Sequence, residues 1–181
     1  MNTFLDLAKT RKSTRSYKDQ KISRQDLELC AEAARYAPSA CNSQPWKFII
    51  VDDPALKNSI KNEAFSGIYS LNTFAGNATA FIIQISEKIK RPAWLAGQLT
   101  NTNFRLIDTG IACSHVVLQA QELGIGSCIL GWFNHKKLKK ALNIPRNKKV
   151  ELVIALGYPG NPAAKKKQLK TVDETISFNK Y

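Results

Sequence analysis

Three stretches of this chain combine residue types that can hold a ligand. The first is Arg11-Lys12-Ser13-Thr14-Arg15, a run of cations and hydroxyls. A guanidinium presents a planar fork of donors that matches phosphate oxygens, and in an extended segment positions 11, 13 and 15 face one side. The pattern suits a phosphate, although a solvated basic turn has the same composition. The second stretch, Ala37-Pro38-Ser39-Ala40-Cys41-Asn42-Ser43-Gln44-Pro45-Trp46, brackets small polar side chains between two prolines. The amides of Asn42 and Gln44 offer donors and acceptors that can read the edge of a heterocycle or cap neighbouring helix and strand ends. The third, Gly124-Ile125-Gly126-Ser127-Cys128-Ile129-Leu130-Gly131, lets a backbone approach a flat ligand and aim its N–H groups at it. An ordinary helix-to-strand turn would use the same glycines. Because this GxG follows a helix, it is not the dinucleotide fingerprint, which follows a strand.

The elements that must position these stretches follow from periodicity and punctuation. A first helix is predicted over Asn2 to Lys9, and a second begins at Ser23, with Asp26 three residues on, carries Leu27, Cys30, Ala31 and Ala34, and stops before Pro38. Lys47 to Val51 and Phe81 to Ile85 read as strands, the former followed by a short helix from Asp52-Asp53-Pro54. Asn103 to Leu123 is the longest helix, apolar almost all round and capped by Gly124, which suggests burial partly by another subunit. Ser127 to Leu130 is a strand, Lys136 to Leu142 a charged helix and Val150 to Leu156 the last strand. Strands separated by long helices give an α+β expectation: a mixed sheet with helices packed on it, in a single domain over residues 1–181.

Composition narrows the function classes. Hydrophobic residues at 44% and charged residues at 23% are those of a globular protein, and the longest apolar runs fall far short of a membrane helix. The first ten residues lack the pattern of a signal peptide, so a cytoplasmic location is expected. Cys30, Cys41, Cys113 and Cys128 are too scattered for a zinc or iron–sulfur site and are expected as reduced, mostly buried thiols. His115 and His135 have no metal-ligand partners at a usable spacing. The net charge of +13 raises nucleic acid as a partner, but the lysines between Lys136 and Lys170 carry no nucleic-acid motif and serve equally to attract a phosphorylated cofactor.

In this order and at these separations, the three stretches, with Leu156-Gly157-Tyr158-Pro159 and Lys165-Lys166-Lys167 downstream, resemble the nitroreductase family of FMN enzymes over nearly the whole chain. The resemblance implies a homodimer with two FMN sites at the subunit interface, each built from both chains. Arg11, Ser13 and Arg15, with Lys12 beside them, would face the phosphate, ribityl chain and pyrimidine edge. Pro38, Ser39, Asn42 and Gln44 would come from the other subunit, and the backbone around Cys128, Leu130 and Gly131 would lie against the ring. Lys165 and Lys167 match a basic pair that closes on the phosphate, where the family often has arginine at the second position. Electrons would pass from NAD(P)H to a nitroaromatic, quinone or similar small acceptor, with no protein nucleophile or general base. The alternatives are a same-fold enzyme that dehalogenates or degrades flavin, and a non-catalytic flavin- or nucleic-acid-binding module. Dehalogenation calls for a lid with distinctive polar residues, which the irregular stretch between Ile85 and Asn103 does not display. Phe74 and Trp94 are candidate stacking surfaces, core packing being the commoner use of aromatics.

Overall fold

Residues 80–86 show no alternation of polar and apolar side chains, and such a strand must be covered on both faces. The computed structural model, which describes residues 3–160 and 167–181, shows how. Four strands among the described residues, β1 (Trp46–Val51), β2 (Ala80–Ser86), β3 (Gly126–Leu130) and β4 (Lys149–Gly157), form one sheet in the order β1-β2-β4-β3. Every neighbouring pair is antiparallel; the parallel component is a bridge between Ser13 and Ser127 at the β3 edge. The α+β expectation therefore holds.

One layer of helices contains α2 (Arg24–Arg35) and α5 (Phe104–Glu122). There Leu27, Cys30 and Ala34 meet Ala112, Val116 and Ala120 over Ile82, Ile154 and Leu156. The other layer contains α3 (Pro54–Ala64) and α6 (His135–Ala141), which bring Ile60, Ala64 and Leu138 onto Phe81, Ile83 and Val153 with Phe65 and Phe133. Each large side chain so buried contributes about 1.5–3 kcal/mol. Val150 and Val153 share a face despite their odd spacing because the β2–β4 register shifts between Gln84 and Ile85, leaving Glu151 without a partner in the ladder.

Local chemistry sets the helix starts. The Ser23 hydroxyl accepts the Asp26 N–H at 3.0 Å, Asp53 accepts that of Leu56 at 2.8 Å ahead of Pro54, and Asn134 accepts that of Lys137 at 3.1 Å. The first helix, α1 (Phe4–Thr10), is enclosed at its start by a reciprocal Thr3–Asp6 capping box. At the end of α5, Gly124 adopts φ +71°, the left-handed turn expected of a glycine cap. Residues 85–103, read from sequence as irregular, contain α4 (Arg91–Thr100). Pro92 looks like a breaker but sits in the first turn, where its missing N–H costs nothing, and only Ala93 and Gly97 are buried. Residues Gly67–Asn77, to which the sequence assigns no element, form a 3-10 run.

Candidate functional site

The segment after α1 is held along one corner of the sheet. The Thr14 N–H donates to the Ser127 carbonyl at 2.9 Å, the Lys18 N–H to Tyr158 at 2.9 Å and the Gly160 N–H to Ser16 at 2.8 Å. Tyr17 pairs with Pro159, and its hydroxyl donates to the Thr14 carbonyl at 2.8 Å. This arm gathers its polar groups around Cys128. Burial pushes the Cys128 thiol up, while Arg15, a hydrogen bond with Ser13, and Arg11 act in the opposite direction. Arg15 also lies over the Phe74 ring at 5.8 Å, so Phe74 supports a cation here. Lys12 is half-buried in the same arm.

A second cation joins Arg11 from far along the chain. The exposed Lys167 ammonium donates to the Ala8 carbonyl at 2.8 Å, and slight desolvation together with the charge of Arg11 lowers its pKa below the usual lysine value. Two like charges brought near one another favour an anion beside them. Lys165 lies outside the described residues.

The glycine-rich turn has three separate explanations. Gly124 supplies the left-handed cap. Gly126 makes room for the arm, because a Cβ there would stand 2.5 Å from the Thr14 hydroxyl oxygen. Gly131, just past the buried Cys128 and Leu130, is exposed and a Cβ there would meet no atom within 4 Å, so its backbone faces open space.

The other polar stretch occupies a different corner. Pro38 is exposed three residues beyond the end of α2. From Ser39 to Gln44 the chain folds tightly, with Cys41, Asn42 and Gln44 at φ 52°, 49° and 47°. Left-handed backbone costs a non-glycine residue about 1 kcal/mol or more, so the surroundings must enforce it. The Ser39 hydroxyl accepts the Gln44 N–H at 2.9 Å, and the Ser43 hydroxyl donates to the Ala40 carbonyl and accepts the Lys90 N–H at 3.2 Å. The Asn42 and Gln44 side chains, both exposed, are joined at 2.9 Å. Beneath them both carboxylate oxygens of Asp108, in α5, lie 3.2 Å from the Ala40 nitrogen. Sequence reasoning passed over Asp108, although an acid in an otherwise apolar helix was a visible signal.

Beside this loop a cavity of about 380 Å³ opens between α4 and the start of α5, walled by Trp94, Gly97, Asn101, Phe104 and Arg105. Trp94 is 55% exposed. Cys41 is exposed, against the expectation of burial, whereas Cys30 and Cys113 are buried and their thiols pushed up to about 12. His115 is half-buried and bonded to the Ile111 carbonyl at 3.0 Å; His135 is exposed and packs on Phe133. Among the described residues no group of three potential ligands could hold a metal ion.

The two polar regions are anchored at diagonal corners of the sheet. Trp46 pairs through Ser86 with Lys149 at the start of β4, while Ser127 pairs with Leu156 near its end and on the opposite edge. Strand spacing and rise put these anchors roughly 25 Å apart.

The antiparallel sheet covered by helices on both faces is the α+β fold of solved oxidoreductases of the nitroreductase class. An FMN-dependent nitroreductase from Clostridium difficile aligns with a TM-score of 0.75 and 29% identity, covering 98% of this chain and 99% of that one. A protein provisionally named NADH dehydrogenase/NAD(P)H nitroreductase from Archaeoglobus fulgidus is 35% identical over 167 residues, 88% of this chain and 87% of that protein. An iodotyrosine deiodinase from Thermotoga neapolitana is 29% identical over 177 residues, 91% of this chain and 93% of that protein. The chain belongs to the Nitroreductase family, whose model matches residues 8–158.

Proposed function

We propose that the protein is an FMN-dependent oxidoreductase that takes electrons from NAD(P)H and, after the nicotinamide has left, passes them to a nitroaromatic, quinone or similar small organic acceptor. The observation that carries this reading is the convergence at one corner of the sheet of the arm holding Arg11, Ser13 and Arg15, bridged to Ser127, and of Lys167, bonded to the Ala8 carbonyl, which sets two cations near one another. A phosphate would bring the two cations a common partner, and the planar fork of Arg11 suits phosphate oxygens. The relatives' names and the FMN-dependent structural neighbour support the same cofactor and donor.

Once bound, the flavin supplies hydride acceptance and electron transfer to the acceptor. The chain's own residues bind and orient. Arg11 and Lys167, with Lys12 alongside, hold the phosphate, a role to which Lys165 is assigned by its place in the sequence alone; Ser13 meets the ribityl chain. Arg15, fixed over Phe74, places positive charge where electron density accumulates on reduction. The backbone of Cys128, Leu130 and Gly131 offers a face for the ring. Pro38, Ser39, Asn42 and Gln44 complete the site from a second copy, because their own corner lies too far from their own arm. Apolar side chains exposed on α1, α4 and the last residues, including Leu5, Leu99, Val172 and Phe178, support a homodimer. The site resides in one domain spanning residues 1–181. None of the described helices is long and apolar enough to cross a membrane, and we place the enzyme in the cytoplasm.

The test is an absorbance spectrum of the purified protein with FMN, followed by anaerobic addition of NADH or NADPH. Bound flavin bleached by one nicotinamide is the expected result. Absence of FMN binding would sink the proposal, and bound flavin that neither donor reduces would remove the nicotinamide half-reaction. A second reading, reductive dehalogenation, is favoured by the Thermotoga relative. It predicts halide release from a halogenated phenol with dithionite as reductant, and no halide would dismiss it.

A further inference from the structure

The Ser39–Gln44 loop contains three non-glycine residues in left-handed backbone, and its amide side chains face outward from a shape that short peptides do not hold unaided. The group beneath it is a carboxylate. Asp108 is 3% exposed, lies one turn into α5 and directs both oxygens at the single N–H of Ala40, the first residue of the turn. An ionised acceptor makes a stronger hydrogen bond than a neutral one, and burial of the carboxylate limits water's competition for the bond. Asp108 is also fixed laterally: Ala112 and Cys113, one turn further along α5, are buried against α2 and the sheet, so the carboxylate is carried on a rigid support. Nothing in the electron transfer requires this acid.

We propose that Asp108 is a positioning residue for the cofactor: by anchoring the Ala40 N–H it presets the loop so that Ser39, Asn42 and Gln44 meet FMN without reorganisation. The proposal rests on the FMN reading above and adds to it a residue that touches neither cofactor nor substrate. A preset loop binds more tightly than one that must be ordered on binding, because the ordering entropy has already been met by folding.

Two substitutions separate anchoring from mere filling of space. Asp108→Asn keeps an acceptor oxygen of the same size in the same place; Asp108→Leu keeps the volume and removes the acceptor. Fluorescence titration of FMN into each apo protein is expected to give a Kd within threefold of wild type for Asp108→Asn and at least tenfold weaker for Asp108→Leu. Reduction of flavin at saturating FMN should change less than the Kd. Wild-type affinity in Asp108→Leu, or equal weakening in both variants, would overturn the proposal. In case Asp108→Leu does not fold, hydrogen exchange on FMN-free wild type gives an independent answer: the amides of Ala40, Asn42, Ser43 and Gln44 should be protected, and exchange at the rate of a free peptide would overturn the preset loop. Failure of wild type to bind FMN would strike the underlying reading, whereas wild-type binding with an indifferent Asp108→Leu strikes only this inference.

Discussion

Replacing Arg11 by Ala will weaken FMN binding by roughly tenfold to a hundredfold. A charge-assisted contact to phosphate is worth about 1.5–3 kcal/mol, and each 1.4 kcal/mol is a factor of ten in Kd. The lower part of the range applies if Lys167, freed from the neighbouring charge that lowers its pKa, moves to cover the phosphate. The fold should not suffer. Arg11 anchors the end of α1 through its backbone N–H, bonded to the Leu7 carbonyl at 2.8 Å, and this bond survives truncation of the side chain. Removing one of two repelling cations should leave the apo melting temperature unchanged or slightly higher. Arg11→Lys keeps the charge without the planar fork and should fall between wild type and Ala. The check is FMN titration beside thermal melting of the apo proteins; an unchanged Kd in Arg11→Ala would take Arg11 out of the site.

The second large effect is expected at Gly126, where the three atoms nearest to an added Cβ all belong to Thr14 of the arm. Valine suits a strand by propensity, yet its Cβ would stand 2.5 Å from the Thr14 hydroxyl oxygen, 2.8 Å from its methyl and 2.9 Å from its Cβ. Thr14 cannot retreat without loosening its own bond to Ser127 and the Ser13–Ser127 bridge. Gly126→Val should therefore cost about 1–3 kcal/mol of stability, lowering the melting temperature by roughly 3–10 °C, and should also displace Arg11, Ser13 and Arg15 together. Loss of FMN affinity beyond that of Arg11→Ala is the expected signature. A variant that melts early but binds FMN normally would show that the arm does not set the site.

Gly126 also illustrates what the sequence could and could not reveal. Three glycines in eight residues signal close backbone approach, but not that the first caps a helix, the second admits Thr14 and the third is left exposed just past β3. The strands and the long helix were legible because a β-branched run or an apolar face is written locally; α4 was not, because it buries little and begins with a proline. Arg11, Ser13 and Arg15 were legible as a set because their alternation encodes a common side. The partnership of Lys167 with Arg11, the cation support from Phe74 and the anchoring of Ala40 by Asp108 join residues far apart in the chain, and composition carries no trace of them.

The diagonal placement of the arm and the loop has a genetic consequence. In a homodimer whose pockets each draw the arm from one chain and the loop from the other, damage to Arg11 and damage to Gln44 are complementary lesions. Each mutant homodimer has two broken pockets, but a mixed dimer concentrates both lesions in one pocket and leaves the other whole. Random pairing of the two alleles would restore roughly a quarter of the wild-type pockets. Two alleles that are each inactive would together sustain activity, and the pairs of mutations able to do so would map which residues reach across from one chain to the other.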